Sequence, residues 1–213
     1  MEYLEYYDEK GQSIGKEERI IVHSKGYWHK TIHCWLYDEL GNVYFQLRAD
    51  NNKMYTTASG HVLYGETLEQ AFLREVKEEI GIEVELSRSA LIEMVVWKMD
   101  KKQEDRVIWR DRVFANVYAN KIKSAKNTFV LGSEVNGLIK INAKEAFNII
   151  YKESGQAAAE KISKTTKSGS LMVEKVNVGF ENFLINSHEI GLLKYGRVLQ
   201  FIIDEVENKF ENS

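Results

Sequence analysis

Three glutamates, Glu75, Glu78 and Glu79, are spaced so that one helix would place them on a single arc of its surface. Like charges at this spacing repel one another, and the helix macrodipole disfavours anions near the C-terminal end of a helix. A divalent cation such as Mg²⁺ would offset this cost, because it prefers carboxylate oxygens as ligands. The cluster therefore predicts a metal site, although an E-x-x-E-E pattern by itself is also typical of a solvated acidic face.

The segment around these glutamates has the periodicity of an amphipathic helix that runs from Thr67 to Ile80. Thr67 can cap its N-terminus, and Gly81 suits the left-handed residue that often ends a helix. One face is apolar and should pack against a sheet; it comprises Leu68, Phe72, Val76 and Ile80.

Strand patterns precede and follow this helix. Lys30–Tyr37 and Asn42–Arg48 flank a glycine-containing turn, which predicts a β-hairpin. Further strands are predicted over Ile82–Leu86, Ala90–Lys98 and Val107–Ala119. The first 120 residues thus mix strands with one strong helix, which indicates an α/β or α+β fold rather than a helix bundle.

The remaining chain is predicted to be more helical. Asn142 can cap a helix that runs through Ile150, and Ser187 can cap a last helix with apolar residues at helical spacing. Gln156–Ser170 is expected to form a loose helix or a mobile excursion. The simplest organisation is an irregular N-terminal segment (1–27), a core (28–155) and a helical extension (156–213) packed on that core.

Composition restricts the function further. Of 213 residues, 44% are apolar and no run is long enough to span a bilayer, so we expect no membrane anchorage. The formal net charge of −3 gives no general attraction to a nucleic acid polymer. The single cysteine, Cys34, and an acidic N-terminus without an apolar region predict a cytoplasmic protein.

The segment Gly60–Ile82, read as GHVLYGETLEQAFLREVKEEIGI, resembles the Nudix box at every defining position. The resemblance implies an α/β fold of the Nudix type, an α/β/α sandwich with a mixed sheet, here followed by the C-terminal helical extension. It also implies a hydrolase that cleaves the diphosphate of a nucleoside diphosphate linked to another moiety. Mg²⁺ or Mn²⁺ would be the cofactor, the partner would be a small diphosphate substrate, and the family often forms homodimers.

The resemblance assigns roles to residues of the box. Glu75, Glu78, Glu79 and the carbonyl of Gly60 match the metal ligands. Glu78 and Glu79 are also candidate catalytic groups, since one box glutamate could act as general base towards the attacking water. Arg74, placed with the catalytic residues, matches the arginine that pairs with the glutamates and holds the box in shape.

Upstream residues, among them Trp28-His29-Lys30 and Ser59-Gly60-His61, resemble isopentenyl-diphosphate-isomerase-type Nudix proteins. Those isomerases use a catalytic cysteine at the position of Ser59, and a hydroxyl cannot readily replace a thiol as proton donor to carbon. Hydrolysis is therefore the preferred function. An isomerase and a non-catalytic nucleotide-sensing domain remain the alternatives.

Four residues outside the glutamate cluster are predicted to contact substrate: Arg48, Lys53, His29 and His61. The two cations could bind phosphate oxygens through charge-assisted hydrogen bonds, although such residues often lie on ordinary surface. His29 and His61 match positions at which the isomerases bind a metal, with His23 near a third, and ordinary polar surface is the alternative for both.

Overall fold

The computed structural model describes residues 2–123, 129–164, 170–185 and 188–210. Its strands are β1 (Tyr3–Tyr7), β2 (Ser13–Glu18), β3 (Trp28–Tyr37), β4 (Asn42–Arg48), β5 (Met54–Tyr55), β6 (Ala58–His61), β7 (Ser89–Gln103), β8 (Arg106–Lys121), β9 (Val135–Asn142), β10 (Gln156–Lys164) and β11 (Leu171–Gly179). Its α-helices are α1 (Arg19–Lys25), α2 (Leu68–Ile80), α3 (Ala143–Lys152) and α4 (His188–Phe210).

All the strands belong to one sheet, whose main path runs β11-β10-β9-β4-β3-β1-β2. The central strand β3 pairs in parallel with β8, and β8 pairs in turn with β7 as a long antiparallel hairpin. β6 pairs antiparallel with β3 and leads directly towards α2. The sheet is therefore mixed, as predicted, and β3 pairs with β6, the strand that precedes the glutamate helix.

Helix α2 forms where the periodicity predicts it. The Thr67 side chain accepts from the Gln70 backbone and the Gln70 side chain accepts from the Thr67 backbone, which makes a capping box. Gly81 ends the helix in the left-handed region, with φ of 71°. Phe72 and Val76 are fully buried in a cluster that also contains Cys34 of β3, so the apolar face holds the helix on the sheet.

The opposite face of the sheet carries a second and larger core. Trp35 and Phe45 of the central strands pack there with Ile149 of α3 and Leu199 of α4. Helices therefore cover both faces, and the predicted α/β/α sandwich is confirmed. None of the described helices is both long and apolar enough to cross a membrane.

Three predictions about local structure are wrong. The N-terminal segment 1–27 is not irregular, because it forms β1, β2 and α1. Ile82–Leu86 is not a strand; Ile82 is buried beneath the helix end and a short 3₁₀ turn follows at Leu86–Arg88. Such short apolar runs carry no periodicity that separates a strand from a packed loop.

The third correction concerns the extension 156–213. Gln156–Lys164 is strand β10, paired with β9 and with β11, so His188–Phe210 is the only α-helix in the described part of the extension. Alanine and lysine are poor strand formers, and here the long-range pairing with β9 overrides that local preference. The cap predicted at Ser187 lies outside the described residues.

Candidate functional site

A cavity of about 760 Å³ opens above β3, β6 and the β7–β8 hairpin, with α2 on one side. It collects eight of the nine predicted site residues, from four different elements of the chain. They are Arg48, His29, Gly60, His61, Arg74, Glu75, Glu78 and Glu79. The fold therefore brings the glutamate helix and the upstream histidines to one site.

Glu79 is the most enclosed of the box carboxylates, with 8% of its surface exposed. Its Oε2 accepts from the Ser59 backbone N–H at 2.9 Å and from Gln46 Nε2 at 3.1 Å. Burial raises the pKa of Glu79 to about 8, and the charge of Glu75 contributes further to this rise. Two donors thus fix the orientation of a carboxylate that is costly to ionise without a cation.

Glu75 lies against the backbone of β6. A Cβ atom added at Gly60 would fall 1.9 Å from Glu75 Oε1, so the close approach requires glycine. Burial raises the pKa of Glu75 to about 7, although the Arg74 guanidinium opposes the rise. The predicted glycine ligand is therefore adjacent to a predicted glutamate ligand.

Arg74 connects the parts of the box. Its Nε donates to Glu66 Oε1 at 2.7 Å and its Nη1 donates to Glu75 Oε1 at 2.7 Å. Its Nη2 also donates to the carbonyl of His61 at 2.9 Å, which ties the helix to β6. These contacts describe a positioning role, in which the guanidinium holds the carboxylates in place.

The donor set fits a hard divalent cation. Glu75, Glu78 and Glu79 present their carboxylates to one cavity, and burial makes the ionised forms of two of them unfavourable. A bound cation would reverse this preference, because opposite charge stabilises a buried carboxylate. Oxygen-rich groups of this kind suit Mg²⁺ or Mn²⁺.

A fourth carboxylate, Glu134, was not predicted. It lines the same cavity, and its charge contributes to the raised pKa values of Glu75 and Glu79. Its loop is tied to the box, since Gly132 N–H donates to the Glu79 carbonyl at 2.8 Å. The Glu134 carbonyl in turn accepts from Ala49 N–H at 2.9 Å. No sequence motif marks this residue, because only the tertiary fold brings its loop to α2.

Three histidines form a second group in the wall of the cavity. One ring nitrogen from each of His23, His29 and His61 lies within 4.8 Å of the others, which is a spacing that a metal ion could bridge. His23 Nε2 lies 3.1 Å from His61 Nε2, and His23 Nδ1 lies 2.8 Å from Asp111 Oδ1. Imidazole nitrogens with a carboxylate suit transition metals more than Mg²⁺.

Burial also affects the charge of His29 and His61. It lowers the pKa of His29 to about 4 and holds that of His61 well below its ordinary value. Both imidazoles are therefore neutral near pH 7, which is the form that binds a metal. Trp109 stacks on His23 with ring centroids 3.7 Å apart and donates to Asp111 Oδ1 at 3.0 Å. The two predicted histidines are thus part of the cavity wall rather than open surface.

The two predicted phosphate-binding cations have different positions. Arg48 lines the cavity and is bridged to Asp50, with Nη2 2.9 Å from Oδ2. Lys53 does not line it, because its Nζ donates to the Glu181 carbonyl at 2.5 Å. Lys53 is therefore not brought to the cavity wall, and its contact with substrate stays a prediction. Its partner belongs to the C-terminal segment, whose position the sequence did not reveal.

The thiol that an isomerase would need is not at this site. Cys34 is fully buried between β3 and α2, and burial raises its pKa well above the ordinary value. Ser59, at the position of the isomerase cysteine, does line the cavity. The described cavity wall thus offers a hydroxyl where a thiol would be required.

Comparison with known proteins agrees with this geometry. Residues 28–146 match the family model of the NUDIX domain. A protein from Clostridium acetobutylicum described as an uncharacterized Nudix hydrolase is 33% identical over 153 residues, which cover 68% of this chain and 71% of the relative.

Two further similarities are more distant, one to a relative in sequence and one to a solved structure. An isopentenyl-diphosphate Delta-isomerase from Mycolicibacterium vanbaalenii is 32% identical over 81 residues, and this chain spans only 45% of its length. The crystal structure of DR0079 from Deinococcus radiodurans is 18% identical, with a TM-score of 0.50, and the match covers 71% of this chain and 89% of that one. This last similarity concerns the fold alone.

Proposed function

This chain belongs to the Nudix family, and we propose that it is a metal-dependent diphosphohydrolase. Its substrate would be a nucleoside diphosphate linked to another moiety, cleaved at the diphosphate by water. The observation that carries the proposal is the convergence of four carboxylates on one cavity: Glu75, Glu78, Glu79 and Glu134. Attack of water on phosphorus needs both charge neutralisation and a proton acceptor, and this group offers the ligands for the first and candidates for the second.

The residues of the box would have different roles in the reaction. Mg²⁺ or Mn²⁺, held by Glu75, Glu78, Glu79 and the Gly60 carbonyl, would neutralise charge on the diphosphate and lower the pKa of the attacking water. Arg74 keeps the carboxylates in place through its ion pairs. The N–H of Ser59 and the amide of Gln46 orient the Glu79 carboxylate.

We assign Glu134 as the candidate general base. In the part of the chain that the structure describes, no ion pair holds its carboxylate, whereas Arg74 engages Glu75 and Glu78. Its side chain is exposed to the cavity, where it could accept a proton from water as the phosphorus–oxygen bond forms. Glu78 and Glu79 remain the candidates that the box itself supplies.

The alternatives are less well supported. An isomerase would need a proton donor to carbon, and the cavity presents Ser59 in place of a thiol. A nucleotide sensor would not need a full set of box carboxylates. The substrate proposed is a small molecule rather than a nucleic acid polymer, and the buried Cys34 thiol suits a reducing cytoplasm.

The test is a hydrolysis screen of the purified chain. Sugar nucleotides, dinucleoside polyphosphates, nucleoside diphosphates and coenzyme A would be incubated with Mg²⁺ or Mn²⁺, and release of phosphate or nucleoside monophosphate would be measured. We expect product with metal and none in EDTA. Undiminished hydrolysis in the chelator, or no turnover of any substrate class, would refute the proposal.

A further inference from the structure

One end of the cavity is lined by aromatic side chains. The ring of His33 stands edge-on to Trp97 with centroids 5.5 Å apart, and edge-on to Tyr55 with centroids 5.7 Å apart. The Arg48 guanidinium carbon lies 5.8 Å from the centre of the Tyr55 ring. All four side chains line the cavity. They form a continuous row from β4 to β7, in which His33 and Tyr55 are buried and the Trp97 ring is partly exposed.

Residues outside the Nudix match close this end. Leu184 and Tyr195 line the cavity, and both follow residue 146, where the family match stops. The Leu184 N–H donates to the Met54 carbonyl at 2.8 Å, and the Tyr195 hydroxyl donates to the Leu184 carbonyl at 3.0 Å. Tyr195 itself is 1% exposed and is packed in the core. The C-terminal segment is therefore a fixed wall of the cavity.

The aromatic row lies next to the catalytic carboxylates. His33 on β3 is paired with Ser59 on β6, and the Ser59 N–H donates to Glu79 Oε2 at 2.9 Å. Paired residues on neighbouring strands have their Cβ atoms about 5 Å apart. A ring bound on the row would therefore hold its attached diphosphate close to the box.

We propose that this end of the cavity is a nucleobase subsite, formed by His33, Tyr55 and Trp97 and completed by Leu184 of the C-terminal segment. The inference rests on the proposed function and names the part of the substrate that this site would select. Stacking on aromatic faces suits any flat heterocycle. A prenyl chain is disfavoured, because an imidazole, two phenols and a guanidinium line the same end, and a heterocycle with polar edges suits such a lining better than an apolar chain does.

The first test changes the wall and compares two substrates. Leu184→Phe adds a ring to the subsite, and its matched control is Leu91→Phe at an exposed position, 58% accessible, on β7. ADP-ribose carries a base, whereas 5-phosphoribosyl 1-diphosphate carries sugar and diphosphate alone. We expect Leu184→Phe to raise the ratio of the KM for ADP-ribose to the KM for 5-phosphoribosyl 1-diphosphate about tenfold or more. The control should leave that ratio unchanged.

The second test measures binding without turnover. Titration of adenosine in EDTA, followed by tryptophan fluorescence, should show saturable binding that Trp97→Ala weakens about tenfold and Trp97→Phe largely restores. This measurement separates the two proposals. Adenosine binding without hydrolysis would refute the proposed function alone, whereas hydrolysis with no adenosine binding would overturn the subsite.

Two further outcomes also overturn the inference. Leu184→Phe could leave the KM ratio unchanged although the variant folds and turns over. Alternatively, geranyl diphosphate could bind more tightly than adenosine and lose affinity in Trp97→Ala, which would show a site for an apolar chain.

Discussion

The carboxylate group and the histidine group share one cavity but are built in different ways. Three of the four carboxylates come from a single helix, α2, whereas the histidines come from α1, β3 and β6. Burial favours the neutral form of some members of each group, since it raises the pKa values of Glu75 and Glu79 and lowers those of His29 and His61. A bound cation would favour the ionised form of the two glutamates, while the two neutral imidazoles are already suited to binding one. The relative positions of ligands on one helix follow from their spacing in the sequence. The relative positions of ligands on several elements depend on how the fold brings those elements together.

The largest expected effect comes from Glu79→Gln. This change keeps the size of the side chain and removes one charge from the proposed metal ligands. Turnover at saturating Mg²⁺ should fall about 100-fold or more, which steady-state kinetics would measure. The melting temperature of the metal-free protein should hold or rise, because a buried carboxylate and its repulsion are removed.

Two variants of α2 serve as controls for that result. Val76→Ala should lose about 1–3 kcal/mol of stability through a core cavity and keep metal-dependent turnover in the folded fraction. Lys77→Gln, on the exposed face, should alter neither quantity much. Full activity of Glu79→Gln at saturating Mg²⁺ would contradict the assignment and favour the sensor function.

Glu134→Gln should reduce kcat about 10- to 100-fold, because the proposed proton acceptor is lost while the box ligands remain. The dependence of rate on Mg²⁺ concentration should stay close to that of the unmodified protein. Glu181→Gln, an exposed glutamate outside the described cavity wall, is the control. If excess Mg²⁺ restored the rate of Glu134→Gln, the residue would be a metal ligand and not the base.

The stability of the metal-free protein should depend on pH through the carboxylates. Burial raises the pKa values of Glu75 and Glu79 to about 7 and about 8, from an ordinary value of 4.5. The stability that their protonated forms contribute is present in full below the ordinary pKa. It is lost as the pH rises to the raised pKa values of the folded protein. In EDTA the melting temperature should therefore fall between about pH 4.5 and pH 8 and level off above that.

Added Mg²⁺ should oppose this loss, because it binds the ionised form and stabilises the folded state. The increase in melting temperature on adding Mg²⁺ should therefore be greater at the higher pH. Glu79→Gln should flatten the pH dependence in EDTA. An increase of stability with pH in the metal-free protein would contradict the burial of these carboxylates.

His61→Ala tests whether the two groups are separate. Co²⁺ binding, followed by visible absorption, should be lost because three ring nitrogens are reduced to two. Turnover with Mg²⁺ should change less than about fivefold, since Arg74 bonds the backbone carbonyl of His61 and not its ring. A loss of turnover as large as that of Glu79→Gln would show that the groups act as one centre.

The smallest effect is expected from Cys34→Ser. Hydrolysis by the folded fraction should stay near normal, because Cys34 is buried outside the described cavity wall. The hydroxyl should lower stability in this apolar surrounding. No interconversion of isopentenyl and dimethylallyl diphosphates should be detected by chromatography, and its detection would restore the isomerase alternative.

The helix and its ligands could be predicted because their signals are local. The cap at Thr67, the stripe containing Phe72 and the glycine at Gly81 lie within one segment, and the structure confirms the predicted helix. Glu134 could not be predicted, since it reaches α2 through the tie between Gly132 and Glu79. The strand at Gln156–Lys164 was missed for the same reason, because its partner β9 decides its conformation.

The closure of the aromatic end has an evolutionary consequence. The C-terminal segment meets β5 and its flanking loop through main-chain atoms: the Leu184 N–H binds the Met54 carbonyl, and Lys53 binds the Glu181 carbonyl. Main-chain partners are the same for any amino acid, so side chains at 181 and 184 can be exchanged while the segment keeps its place. Descendants of this protein could thus acquire new substrates by substitutions in the C-terminal segment, while the catalytic helix is inherited unaltered.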